Sequence, residues 1–260
     1  MDVYEKKFDI TVADVDRLHN LKLSALFDFF QNITTLHGED LGVGLDEMLA
    51  AGQGWVLSRF SVLVEKRPPF AERLSIKTWP RGSQKLFALR DYEVKDGSGS
   101  VCVRGRSGWL VLDVPRRRPL RPQSLIKPLP VNEGLDALAG GAGGLTVRDG
   151  LVKKHERTAF YTYIDYNGHV NNQSYIEWIQ DAIEPELLED AVIMRLDINY
   201  IAEITCGEII EIWTGNFEEA ESANSLFESG APASAITRIA IEGRHKANGN
   251  AAFRAEIRLK

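Results

Sequence analysis

The chain has 260 residues, 44% hydrophobic and 26% charged, enough to bury one large core or two small ones and too apolar for a disordered segment. Its net charge of -6 argues against general nucleic-acid binding. No apolar run approaches the roughly 20 residues that cross a bilayer, and the opening MDVYEKKFDI lacks the apolar stretch of a signal peptide, which predicts a cytoplasmic protein.

The alternating run Val3–Val12 predicts a first strand. Leu23, Leu26, Phe27, Phe30 and Ile33 then recur at helical spacing and predict an amphipathic helix. Four strands follow over Trp55–Glu65, Arg73–Pro80, Lys85–Lys95 and Val101–Asp113, bounded by turn signals such as Pro68-Pro69 and Arg81-Gly82-Ser83. Phe27, Phe29, Phe30, Trp55 and Phe60 are expected to fill this first core. From Pro115 to Gly150 the chain turns rich in Pro and Gly and reads as a connection. Its first part, PRRRPLR, sets Arg116, Arg117, Arg118 and Arg121 close together, either as a solvated linker or as a patch for an acidic partner.

The same order then recurs. A strand is predicted over Lys154–Tyr163 and a helix along Tyr175, Ile176, Ile179, Ile183 and Leu187. Strands follow over Val192–Ile201, Ile209–Asn216, Leu226–Gly230, Ile236–Gly243 and Ala252–Leu259. One offset places Asp16 on Asp165, Asp28 on Glu177, Phe29 on Trp178 and Gln31 on Gln180. A second places Arg59 on Arg195, Val62 on Ile198, Glu72 on Glu208 and Thr78 on Thr214. The pattern predicts a duplicated α+β unit, each a sheet curled around a helix, with domains over 1–114 and 151–260 joined by 115–150. A crevice between the units is the expected ligand site.

Two cysteines, Cys102 and Cys206, stand far apart without a CxxC or Cys/His grouping, so two reduced, mostly buried thiols are expected and no structural zinc. The chemistry concentrates in YIDYNGHVNNQSYIEWI, Tyr163 to Ile179. A helix start exposes unpaired N–H groups that stabilise an anion, including the oxyanion of an attacked carbonyl. A carboxylate beside it can serve as general base for water, while an amide and an imidazole hold the water or the carbonyl. Asp and Asn are also common caps and turn residues. The D-x-N start is not a calcium loop, because Val170 and Ile176 stand where that loop needs glycine and glutamate. The first unit keeps Asp16 but has Arg17-Leu18 for Tyr166-Asn167 and Lys22-Leu23 for Asn171-Asn172. That loss points to one active copy and one that binds or packs.

The run IDYNGHVNNQSYIEW resembles the signature of acyl-acyl-carrier-protein (acyl-ACP) thioesterases, and NYIAE, Asn199 to Glu203, resembles a second segment of that family. The resemblance implies an α+β tandem hotdog, two antiparallel sheets each wrapped around a long central helix. It implies a catalytic set of Asp165, Asn167, His169 and Glu203, hydrolysis of fatty acyl-ACP to free fatty acid, and no metal or other cofactor. Plant members carry a cysteine directly after the glutamate, where this chain has Ile204. Cys206, two positions on, is expected on the same strand face as Ile204, so water activated by a carboxylate is the better mechanism. Glu203, between Ala202 and Ile204, is expected to be the more desolvated carboxylate, and which one acts as base stays open. The first hotdog would line the acyl-chain tunnel. Acyl-carrier protein, an acidic partner, would dock on Arg116, Arg117, Arg118 and Arg121, with Lys153 and Lys154 second. An acyl-CoA thioesterase and a non-catalytic acyl-binding regulator are the alternatives, and pairing of two chains as a homodimer stays open.

Overall fold

The structure, a computed structural model, describes residues 2–141, 143–217 and 236–260. The chain forms two compact units, Met1–Ala142 and Gly143–Lys260. The strand predicted over Leu226–Gly230 lies outside the described residues.

The first unit runs β1 (Tyr4–Asp9), α1 (Leu23–Asp40), α2 (Leu45–Ala50), β2 (Gln53–Val64), β3 (Arg73–Gln84), β4 (Phe87–Lys95), β5 (Val101–Asp113) and β6 (Arg118–Leu120). Its antiparallel sheet has the order β1-β3-β4-β5-β2, with β6 on the end of β5. The apolar stripe of α1 seats Leu26, Phe27, Phe30 and Ile33 in the core. Phe30 meets Tyr92 of β4 and Phe60 of β2, with ring centroids 4.6 and 5.4 Å apart. Burying one such side chain contributes roughly 1.5–3 kcal/mol, so this aromatic cluster is what fastens the helix to the sheet.

The other face of the sheet presents a row of register partners, Trp79, Asp91 and Arg106. Arg106 grips buried Asp91 with two hydrogen bonds of 2.7 Å and reaches Asp136 at 2.8 Å. Trp79 Nε1 donates to Leu135 O, and Ala137 N donates to Asp91. These bonds hold residues 135–137 of the same unit against β3, β4 and β5. The arginine-rich run is not irregular throughout, because Arg118–Leu120 pairs with Val111–Asp113 as β6.

The second unit runs β7 (Val152–Thr158), α3 (Asn172–Gln180), α4 (Pro185–Asp190), β8 (Met194–Tyr200), β9 (Ile209–Asn216), β10 (Thr237–His245) and β11 (Ala251–Leu259). Its sheet order is β7-β9-β10-β11-β8. Element for element this repeats the first unit, β7 standing for β1 and β8 for β2. The outermost strand of each keeps a lysine pair, Lys6-Lys7 and Lys153-Lys154, and charge there discourages pairing with another chain.

The second helix is shorter than its apolar spacing predicts. It ends at Gln180, and the chain turns before Pro185 starts α4. A proline cannot donate its backbone nitrogen to a preceding turn, so the helix cannot run through it to Leu187. Tyr175, Ile176 and Ile179 of α3 are buried as expected. Cys206 is exposed, against the expectation of two buried thiols, whereas Cys102 is buried. The reason is a turn at Cys206-Gly207, where Gly207 takes φ +89°. It breaks the strand alternation that would have kept Cys206 with buried Ile204.

Candidate active site

Asp165 opens a tight turn. Its N–H donates to His169 O at 2.8 Å, and Gly168 N–H donates back to Asp165 O at 3.0 Å. Gly168 supplies the left-handed conformation, φ +81°, that closes the turn without a Cβ. The Asp165 carboxylate accepts Asn167 N–H at 2.8 Å, an Asx turn that holds Asn167 at the tip. An isolated bridge between Ile164 and Val170 closes the base.

Only then does α3 begin. Asn171 caps it by accepting Gln173 N–H on its side chain at 3.0 Å. Asp165 therefore belongs to the turn and not to the first helical turn, and Asn171 is a cap.

The 203–208 segment crosses beneath. Val170 N–H donates to Ile204 O at 2.8 Å, and His169 bridges Thr205. This brings His169 Nε2 to 3.2 Å from Glu203 Oε2, with side chains 33% and 62% exposed. Glu203 is thus more open to water than its apolar neighbours predict. Behind it, Glu208 closes the turn by accepting Thr205 N–H at 2.6 Å and meets His245 Nδ1 at 3.1 Å. The Thr205 backbone N–H is the main reason that the Glu208 carboxyl sits below the usual range, aided by the Thr205 hydroxyl and His245.

Asp165, Asn167 and His169 therefore share one turn, and Glu203 joins it through His169. Sequence reasoning treated Tyr175 as core. It is core, its ring 3% exposed, and burial chiefly pushes its hydroxyl upward in pKa, with the Glu203 and Asp165 charges acting in the same direction. His245, which no sequence pattern marked, braces Glu208.

The first unit builds the same turn without the same chemistry. Asp16 N–H donates to Asn20 O, Leu18 and Asn20 N–H donate to the Asp16 carboxylate at 2.9 Å each, and His19 takes φ +63°. Leu21 N–H donates to Pro68 O, and Asn20 bridges Pro69. In this register Leu18 stands for Asn167, Asn20 for His169 and Arg67 for Glu203. Arg67 Nη1 lies 2.9 Å from Asp16 Oδ2, with side chains 12% and 23% exposed. In the second unit the turn carries half-buried Asp165 and His169, with exposed Glu203 set against the imidazole. Its twin is closed by an ion pair.

The four candidate docking arginines are exposed, and Arg116 is paired with Asp113 at 2.9 Å. Lys153 is engaged by Glu156 and Glu211, and Lys154 by Glu184. Among the described residues no group of three or more His, Cys, Asp or Glu is arranged to hold a metal ion, and no helix is long and apolar enough to cross a membrane.

A family model described as the acyl-ACP thioesterase N-terminal domain matches residues 1–126, and one described as the C-terminal domain matches 150–253. An acyl-[acyl-carrier-protein] hydrolase of Cuphea viscosissima is 24% identical over 246 residues, 87% of this chain and 58% of that protein. A palmitoyl-acyl carrier protein thioesterase of Arabidopsis thaliana is 26% identical over 219 residues, 79% of this chain and 52% of that protein. The chain thus spans less than two thirds of these relatives' length. Among solved structures, an acyl-ACP thioesterase from Bacteroides thetaiotaomicron superposes with a TM-score of 0.78 at 23% identity, covering 100% of this chain and 98% of that one. The 12:0-ACP thioesterase from Umbellularia californica gives 0.75 at 18% identity, covering 100% and 94%. These likenesses establish the shared tandem hotdog fold.

Proposed function

The chain belongs to the acyl-ACP thioesterase family, and from that premise we propose that it hydrolyses the thioester of fatty acyl-ACP to free fatty acid, ending elongation. The observation that carries this reading is the solvent-facing His169–Glu203 pair beside Asp165, kept in one of two units built alike.

In the proposed mechanism Glu203 takes a proton from water as the water oxygen bonds to the thioester carbon. His169, donating from Nε2, holds the Glu203 carboxylate in place. The Asn167 side-chain amide donates to the carbonyl oxygen as it becomes an oxyanion, and Asp165, which grips the Asn167 backbone, fixes that amide. The tetrahedral intermediate collapses with cleavage of the carbon–sulfur bond, and the proton on Glu203 passes to the departing thiolate. General-base help of this kind contributes about 100- to 10,000-fold. No cofactor enters the scheme.

The second unit supplies this chemistry, and the first is assigned the acyl chain. Acyl-carrier protein is assigned to Arg116, Arg117, Arg118 and Arg121, an attraction that weakens as salt rises. A cytoplasmic location belongs to the same reading. The test is thiol release from acyl-ACP and from the matching acyl-CoA, with Asp165→Asn as control, since Asn keeps an acceptor for Asn167 N–H and loses the charge. Release from acyl-ACP that the variant abolishes supports the reading. Preference for CoA would move the substrate, and release from neither would overturn hydrolysis.

A further inference from the structure

The backbone frame beneath the candidate base is built twice. In the second unit Val170 N–H donates to Ile204 O, Gly207 N–H to Ala159 O, Glu208 N–H to Thr205 O and Ala159 N–H to Glu208 O. In the first, Leu21 N–H donates to Pro68 O, Ala71 N–H to Ile10 O, Glu72 N–H to Pro69 O and Ile10 N–H to Glu72 O. The bridge between His169 and Thr205 has its match in Asn20 and Pro69. Those backbone bonds are common to both turns, and the side chains laid on them are not.

In the second unit Glu208 Oε2 accepts both the Thr205 N–H, at 2.6 Å, and the Thr205 hydroxyl, at 2.9 Å. Its Oε1 meets His245 Nδ1 at 3.1 Å. His245 is 8% exposed and paired with Ile210 at the end of β10, so this clamp is anchored in the sheet. Thr205 is exposed, as are Ile201, Ala202 and Glu203, and packing gives that stretch little to hold it. Thr205 follows Glu203 by two residues and lies opposite His169. Fixing Thr205 therefore sets where the Glu203 carboxylate falls relative to the imidazole.

The first unit has the turn without the clamp. Pro69, which stands for Thr205, has neither an N–H nor a hydroxyl. Glu72 stands for Glu208 but accepts Gly97 N–H at 3.0 Å. Thr78 pairs with Tyr92 as Thr214 pairs with Ile241, which sets Asp96 on His245 further along the same strands. Asp96 is taken by Lys66 at 2.8 Å. The clamp is thus present in the unit that has a carboxylate and an imidazole to set against each other, and missing from the unit that has Arg67 and Asn20 there. The turn itself does not require it.

We infer that Glu208 is a positioning residue: braced by His245, it holds Thr205 so that Glu203 stays against His169. The inference rests on the proposed catalytic reading of Glu203.

The test compares Glu208→Ala, which removes the clamp, with Glu208→Gln, which keeps an oxygen for Thr205 and loses the charge. With acyl-ACP as substrate, kcat in E208A is expected to fall about tenfold with KM within about twofold, because a displaced reacting group can cost up to about 100-fold. E208Q is expected to recover most of that loss. In a Glu203→Gln background E208A is expected to cost no further activity, because both act through one group. Unchanged kcat in E208A, a Gln variant as slow as the Ala variant, or a full additional loss in the double variant would overturn the inference. The ring-nitrogen NMR signal of His169 decides independently of activity. Its Nε2 is expected to shift in E208A toward its position in E203Q, since both lose the carboxylate contact, and to hold in E208Q. An unmoved Nε2 signal in E208A would refute the positioning role even if the wild-type protein hydrolysed nothing. Absence of hydrolysis with that signal moved would refute the catalytic reading alone.

Discussion

Glu203→Arg would copy the first unit's solution into the second. There Arg67 holds Asp16 across the same turn with the same backbone bonds, at 2.9 Å. The substitution removes the His169–Glu203 pair, of which Glu203 is 62% exposed and His169 33%, at a cost of about 0.2–1 kcal/mol. It offers Asp165 a guanidinium and removes a second carboxylate from its neighbourhood. Hydrogen bonds to charged groups contribute about 1.5–3 kcal/mol when sheltered, and at this more open position about 1–1.5 kcal/mol is the reasonable share. The expected net is a gain of about 0.5 kcal/mol in urea-monitored stability with an unchanged m value. Thioester hydrolysis should fall by about 100- to 10,000-fold in the same protein. A loss of stability above about 1 kcal/mol would refute the equivalence of the two turns. Full activity in E203R would refute Glu203 as base.

Ala71 stands at φ +65° where the twin turn has Gly207 at +89°. A left-handed alanine costs about 1–2 kcal/mol and a glycine's looser unfolded chain returns about 0.4–1 kcal/mol, so Ala71→Gly should raise stability by about 0.5–1 kcal/mol in a urea melt. In the folded protein a maleimide should label Cys206 and spare Cys102, which is buried and whose thiol burial pushes up to about 12; labelling of both would mean that the β5 core opens. Glu208 has its carboxyl held below the usual range, so its stabilisation is full above the unfolded value and is lost as pH falls through the folded one. Wild type should therefore exceed Glu208→Gln by a constant margin at neutral pH, and the margin should shrink below about pH 4. A margin that stays constant into acid would contradict this.

The elements whose period is long enough were readable in the residues. The strand Ile209–Asn216 has the bounds its alternation predicts, and β5 likewise. Helices α2 and α4, six residues each, are too short for a 3.6-residue period to stand out. The second helix was overestimated because apolar spacing at Ile183 and Leu187 continued past Pro185. At the site, the turn residues were legible as a spaced set, since one turn holds them all. The His169–Glu203 contact was reachable through family resemblance, because nothing in local spacing joins two segments so far apart in the chain. The exposure of Cys206 followed from a glycine turn that interrupts alternation.

The most direct test of carboxylate-driven hydrolysis sets Glu203→Gln beside Cys206→Ala in one assay of free fatty acid released from acyl-ACP. Glu203→Gln should lose about 100- to 10,000-fold in kcat and Cys206→Ala should stay within about twofold of wild type. The reverse pattern, an active E203Q and a dead C206A, would mean that a thiol performs the attack and would contradict the account.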